Sequence, residues 1–229
     1  DDNSLFFIRS TNSCVFLYII FFLLHLIYHP QTFNQGKGYL YNVIKKEHKL
    51  MVHKILKMGN PLLREQALPF ELGEITSNET SELVQSMWDT MEEYGGIGLA
   101  APQIGVSKQL AVIRIEEDNE RYPEAEEFEE IVIFNPKITL LDETLQGFWE
   151  GCLSVPGLRG VVFRPRKVQI DYLDESAKEK SIIAEDFLAT VFQHELDHLF
   201  GKLFIDRIED ISTLSFEDEL VSADEEKEL

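Results

Sequence analysis

The stretch Gln193-His194-Glu195-Leu196-Asp197-His198 decides how the rest of the chain is read. It lies in an apolar-periodic segment running from about Phe187 to Leu203, a pattern that predicts a helix. On such a helix His194 and His198 stand one turn apart on a common face. Two imidazole nitrogens can then converge on one metal ion while Glu195 lies alongside as a base. Two solvated histidines on a surface helix would show the same spacing. The neighbours argue against that, because Phe187, Val191, His194 and His198 share one stripe, with Leu188 and Phe192 at its margins. The histidines therefore point inward, where an imidazole without a partner is costly.

A hydrolytic site of this kind needs three protein ligands and an open position. The metalloproteases whose motif continues His-Glu-x-x-His-x-x-Gly-x-x-His would be matched here through Gly201, but the last position holds Phe204, which binds no metal. A second arrangement takes a glutamate about twenty residues further on. That falls at Glu217 or Glu219, in an acidic terminal run poorly suited to a rigid ligand. A third candidate is Cys152, in Glu150-Gly151-Cys152-Leu153-Ser154-Val155-Pro156-Gly157. A thiolate is a good ligand for a borderline divalent metal. A free cysteine is as often a small buried hydrophobe, so this residue alone leaves both readings open.

Composition narrows the field. The net charge of -20 excludes the basic footprint that nucleic acid or an anionic lipid surface requires. The acid is concentrated in Glu116 to Glu130 and Glu217 to Glu228, which read as a solvated loop and a solvated tail. The two cysteines, Cys14 and Cys152, cannot make a disulfide framework.

Residues 1–50 read differently from the remainder. Cys14 to Tyr28 is an almost unbroken apolar run, shorter than the roughly twenty residues a membrane span needs, and no small-x-small cleavage pattern follows it. We expect the working domain to span 51–229, with an acidic tail from about residue 216, and residues 1–50 to lie outside it. A genuine membrane anchor at 14–28 is the rival reading. From Met51 on, Val52 to Leu56 alternates and Gly59-Asn60-Pro61 makes a turn. Ser77 or Asn78 caps a helix carrying Leu83, Val84, Met87, Trp88 and Met91 and stopping at Gly95-Gly96. Gly96 to Gly105, rich in small residues, reads as a loop open to close approach, with no phosphate-binding glycine pattern. Strands are predicted at Leu110 to Ile115, Ile131 to Ile138, Val161 to Phe163 and Val168 to Leu173. Pro165 divides the last two, and a turn follows at Asp174-Glu175. Gly201 ends the histidine helix. Successive strands without intervening helices predict an α+β fold, with small antiparallel β-sheets packed around a central metal-binding helix.

Three stretches together resemble the motifs of the peptide deformylase family: Gly96-Ile97-Gly98-Leu99-Ala100-Ala101-Pro102-Gln103, Glu150-Gly151-Cys152-Leu153-Ser154, and Gln193-His194-Glu195-Leu196-Asp197-His198. They occur in the family's order, and the resemblance covers about Met51 to Ile208. It implies a metal-dependent hydrolase that removes the formyl group from the formylmethionine of newly made proteins and releases formate. Cys152, His194 and His198 would be the metal ligands and Glu195 the base, with the Gln103 amide and the Leu153 backbone N–H as oxyanion donors. Gly98, Ile97, Glu150, Arg159, Phe187 and Val191 would lie near the substrate. The resemblance implies Fe2+, with Zn2+, Ni2+ or Co2+ able to substitute, since the ligand set alone does not choose. It also implies nascent formylmethionyl polypeptides as partners and a bacterial-type cytoplasmic setting near the ribosome. The acidic end of the chain argues against direct contact with ribosomal RNA. A peptidase cutting internal bonds, or an inactive metal-stabilised relative, are the alternatives. Glu195 speaks against the second, because a purely structural site has no use for a base.

Overall fold

A computed structural model describes residues 50–116 and 126–220. The apolar run 14–28, most of the acidic loop and the end of the acidic tail lie outside the described residues. Within Leu50–Leu229 the chain forms one compact unit.

The two long helices form as the capping and periodicity dictate. The Ser77 hydroxyl accepts from the Thr80 N–H at the start of α2 (Asn78–Glu93), which follows the one-turn helix α1 (Leu72–Ile75). Val84, Met87 and Met91 bury one face of α2 against the sheet, and Gly95, in a left-handed conformation, follows its end. The histidine helix, α3 (Asp186–Leu199), stops short of the full apolar segment. Gly201 follows it at φ 69°, and a Cβ there would lie 2.5 Å from the Arg64 carbonyl oxygen. Only glycine meets both conditions.

The strands are β1 (Gly98–Ala100), β2 (Leu110–Ile115), β3 (Phe128–Cys152), β4 (Val155–Leu173), β5 (Glu179–Glu185) and β6 (Ser215–Phe216). All pair antiparallel, so the α+β class and the antiparallel pairing are as expected. They form one hydrogen-bonded path, β1-β2-β3-β4-β5 with β6 on β4, rather than several small sheets. The unifying feature is the length of β3 and β4. The predicted break at Pro165 does not occur: Pro165 sits opposite Leu145, beside a register shift, where a residue lacking an N–H is tolerated within a continuous strand. The predicted loop 96–105 also gains order, with Gly98–Ala100 pairing to β2 and Ala101–Ile104 forming a 3-10 turn. The alternating stretch Val52 to Leu56 takes no regular secondary structure and joins no sheet. Its end ties two loops together, through Leu56 N–H to the Gln103 carbonyl at 2.8 Å and Met58 N–H to the Ser154 carbonyl at 2.8 Å.

The helix α3 is buried from Ala189 to Leu199. Ala189, Phe192, Leu196 and Leu199 pack into the main core with Ile113, Ile133, Val168 and Ile170, and this leaves His194, Glu195 and His198 on the side facing β1 and the β3–β4 turn. Gly201→Ala is expected to cost about 2–3 kcal/mol and to lower the thermal unfolding midpoint by about 5–10 °C, read by calorimetry.

Candidate metal centre

Two elements bring the donors together. Cys152 ends β3 at a tight turn, where it pairs with Val155, and His194 and His198 project from α3. The Cys152 Sγ lies 3.4 Å from a ring nitrogen of His198, and the ligand atoms of Cys152, His194 and His198 all lie within 4.8 Å of one another. Ligands bound tetrahedrally at zinc-like distances are separated by about 3.5 Å, so the spacing suits a shared ion. All three residues are buried. Burial pushes the Cys152 thiol up, but His198 and His194 beside it more than reverse this and hold it well below the usual thiol range. Cysteine as thiolate is the form that binds a metal.

The surroundings fix the orientation of the donors. His194 Nδ1 meets Glu150 Oε2 at 2.8 Å, which turns its other nitrogen toward the sulfur. Arg164 grips Glu150 through Nε to Oε1 at 2.6 Å and Nη2 to Oε2 at 3.0 Å, and reaches Asp197 Oδ2 through Nη1 at 2.8 Å. Arg207 closes the chain of charge on Asp197 from the outside, with contacts of 2.6 and 3.0 Å. Phe204, which takes the place of a third histidine in the extended protease motif, instead stacks on the His194 ring at 6.2 Å.

Gln103 is 1% exposed, and its amide is aligned by its neighbours. Its Oε1 accepts from the Ala100 N–H at 2.7 Å, so its NH2 group donates toward Cys152 Sγ at 3.6 Å and Ser154 Oγ at 3.3 Å. Glu195 lies against β1, where a Cβ on Gly98 would come within 2.7 Å of the Glu195 Cγ. One Glu195 oxygen has no hydrogen-bond partner among the described residues. Burial raises the Glu195 pKa above the ordinary carboxylate range, against an opposing pull from His194 and His198.

Gly98, Gln103, Cys152, His194 and Glu195 line one cavity with Ile97, Trp149, Leu153, Phe187, Thr190 and Val191. The residues expected at the substrate therefore converge, with two qualifications. Glu150 borders the cavity but spends both carboxylate oxygens on His194 and Arg164, so it orients a ligand. Arg159 lies outside the cavity lining. There β6 pairs alongside it, and its Nε donates to Glu217 at 2.8 Å. Glu217, the other conceivable protease ligand, is thereby accounted for as an ion-pair partner. Sequence reading missed Arg164, Arg207, Thr190 and Trp149, and gave Asp197 no role.

The fold and the site define a metallohydrolase with a Cys-His-His ligand set and a buried glutamate beside it. A polypeptide deformylase family model matches residues 52–213. A peptide deformylase of Leptospira biflexa is 45% identical over 76% of this chain and 97% of its own length. Peptide deformylase 2 of Pseudomonas syringae is 44% identical over 73% and 93%. Among solved structures, a class I type b peptide deformylase from Acinetobacter baumannii with bound Met-Ala-Ser superimposes with a TM-score of 0.68 at 37% identity. It covers 70% of this chain and 100% of its own. A Synechococcus elongatus peptide deformylase in complex with actinonin gives 0.61 at 34% identity, covering 71% and 82%. The chain belongs to the peptide deformylase family, metal-dependent hydrolases that remove the N-formyl group from nascent proteins.

The ion-pair network also sets acid stability. Burial pushes Glu150 and Asp197 up, but His194 and Arg164 hold Glu150 low, and Arg207 and Arg164 hold Asp197 low. With folded pKa values below the unfolded ones, this stabilisation is present above the ordinary carboxylate range and lost as pH falls through the folded values. Arg164→Met leaves two buried carboxylates under-compensated. It is expected to cost about 3–5 kcal/mol at neutral pH and to raise the pH midpoint of acid unfolding, followed by circular dichroism.

Proposed function

We propose that Cys152, His194 and His198 hold one divalent cation, and that Glu195 carries the proton in hydrolysis of the formyl amide at a formylmethionyl N-terminus. The observation behind this reading is the convergence of the Cys152 sulfur with the His194 and His198 rings, at a cavity also lined by the buried Glu195 carboxyl, one oxygen of which is unpartnered among the described residues. When bound, the cation supplies Lewis acidity and acidifies water. Glu195, with its raised pKa, accepts a proton from water and returns it to the departing amine. The Gln103 amide, locked by Ala100, and the Leu153 backbone N–H donate to the oxygen that becomes anionic as the carbonyl is attacked. Gly98, having no Cβ, leaves room for the Glu195 carboxyl and for a group no larger than formyl beside it.

The substrate is held by backbone and by apolar walls. Among the described residues β1 pairs only with β2, and the end of β3 pairs only with β4; both border the cavity, so an extended peptide can add between them. Ile97, Phe187 and Val191 then enclose an unbranched apolar side chain such as methionine. The A. baumannii relative is a structure with Met-Ala-Ser bound, which supports a peptide beginning in methionine as the kind of ligand.

The resident ion in this proposal is Fe2+, with Zn2+, Ni2+ or Co2+ able to replace it. The working domain is 51–229, in keeping with the family match over 52–213. The enzyme acts in the cytoplasm near the ribosome. With a net charge of -20 it does so without gripping RNA. No helix among the described residues is long and apolar enough to cross a membrane.

Glu195→Ala is expected to lower kcat on formyl-Met-Ala-Ser by about 10²–10⁴-fold while metal content stays at the wild-type level. Unchanged turnover would contradict the assignment of the base. Cleavage of unformylated Met-Ala-Ser at a comparable rate would favour a peptidase instead.

A further inference from the structure

The outer face of the β3–β4 hairpin carries large apolar side chains that nothing among the described residues covers. Leu145, Trp149 and Phe163 are 56%, 42% and 47% exposed. Strand register puts them on one side: Leu145, Gly147 and Trp149 alternate with the more buried positions of β3, and Phe163 sits opposite Gly147 on β4. Gly147 gives this face its shape. A Cβ there would lie 2.9 Å from the Phe163 ring, so glycine lets that ring lie across β3 toward its unpaired edge. Trp149 also lines the catalytic cavity, which makes the apolar ledge continuous with the substrate site.

The path of the substrate follows from the strand edge. The formyl group must lie beside Cys152, and beyond Cys152 the chain reverses into β4 at Val155. An extended peptide along the β3 edge can therefore run only the other way, past Trp149 and toward Leu145. At about 3.4 Å per residue, the stretch from Trp149 to Leu145 matches about four substrate residues. A nascent chain is unfolded, and its apolar side chains are available to such a face.

We propose that Leu145, Trp149 and Phe163 form an extended subsite for the residues of the nascent chain downstream of the first three, with a preference for apolar side chains there. This deepens the deformylase reading and rests on it. The enzyme would then select longer, apolar-starting chains over the short peptides that fill only the cavity.

The test compares three formylated substrates on the metal-loaded full chain: formyl-Met-Ala-Ser, an octapeptide continuing it with Leu and Val, and one continuing it with Ser and Gly. The expected result is a KM about tenfold lower for the apolar octapeptide than for the other two. The double variant Leu145→Ser, Phe163→Ser lies outside the cavity, so it should keep kcat/KM on the tripeptide within about twofold and erase the octapeptide's advantage. Equal KM for all three substrates in the wild type, or an advantage that survives in the variant, would overturn the proposal. So would a wild-type dimer made monomeric by the variant with no change in length dependence, which would mark the face as a contact between copies. If no formylated peptide is turned over, the deformylase reading itself fails and the subsite falls with it.

Discussion

A thiolate, a guanidinium and several carboxylates can be buried around one helix only if each charge meets its opposite. Each isolated charge would cost several kcal/mol in the interior. Here Cys152 lies against His198 and shares the buried cluster with His194, Glu150 meets His194 and Arg164, and Asp197 meets Arg164 and Arg207. The chain of contacts runs from the solvent side of Arg207 to the sulfur and crosses from α3 to β3 and β4. It fixes the rotation of the His194 ring and, with it, where a cation can sit. Glu195 differs from these carboxylates: one of its oxygens is unpartnered among the described residues and its pKa is raised by burial, and in the proposed mechanism that difference suits it to carry the proton.

Backbone constraints place the remaining parts. Gly98 lets the Glu195 side chain stand against β1, and Gly201 ends α3 against the Arg64 carbonyl. The segment Leu56 to Met58 ties the Gln103 turn to the Ser154 turn through two backbone hydrogen bonds, so the loops that carry Gln103 and Cys152 are held to a common segment. Such sharing explains how a short 3-10 turn and a tight hairpin turn can hold catalytic groups without long elements of their own.

Much of this was legible in the sequence where the signal is local. The cap at Ser77, the apolar stripe of α2, the one-turn histidine spacing and Gly201 all act within a few residues, and the structure follows them. Strand β1 escaped because Gly98-Leu99-Ala100 has neither alternation nor bulk; only pairing to β2 makes it a strand. The unbroken β4 escaped because Pro165 is tolerated by a register shift that belongs to β3. The ion-pair network was illegible for a related reason. Arg164 and Asp197 lie far apart in the chain, and nothing local to Glu150 shows that its carboxylate meets Arg164 and His194. Arg159 likewise depends on β6 folding back with Glu217.

The central claim is that one sulfur and two ring nitrogens gather a single cation. The most direct measurement is elemental analysis of protein purified without oxygen, paired with the absorption spectrum after replacement by Co2+. About one divalent ion per chain is expected, with a sulfur-to-metal charge-transfer band that disappears in Cys152→Ala. Protein that holds no stoichiometric ion, or a cobalt spectrum that Cys152→Ala leaves unchanged, would contradict it.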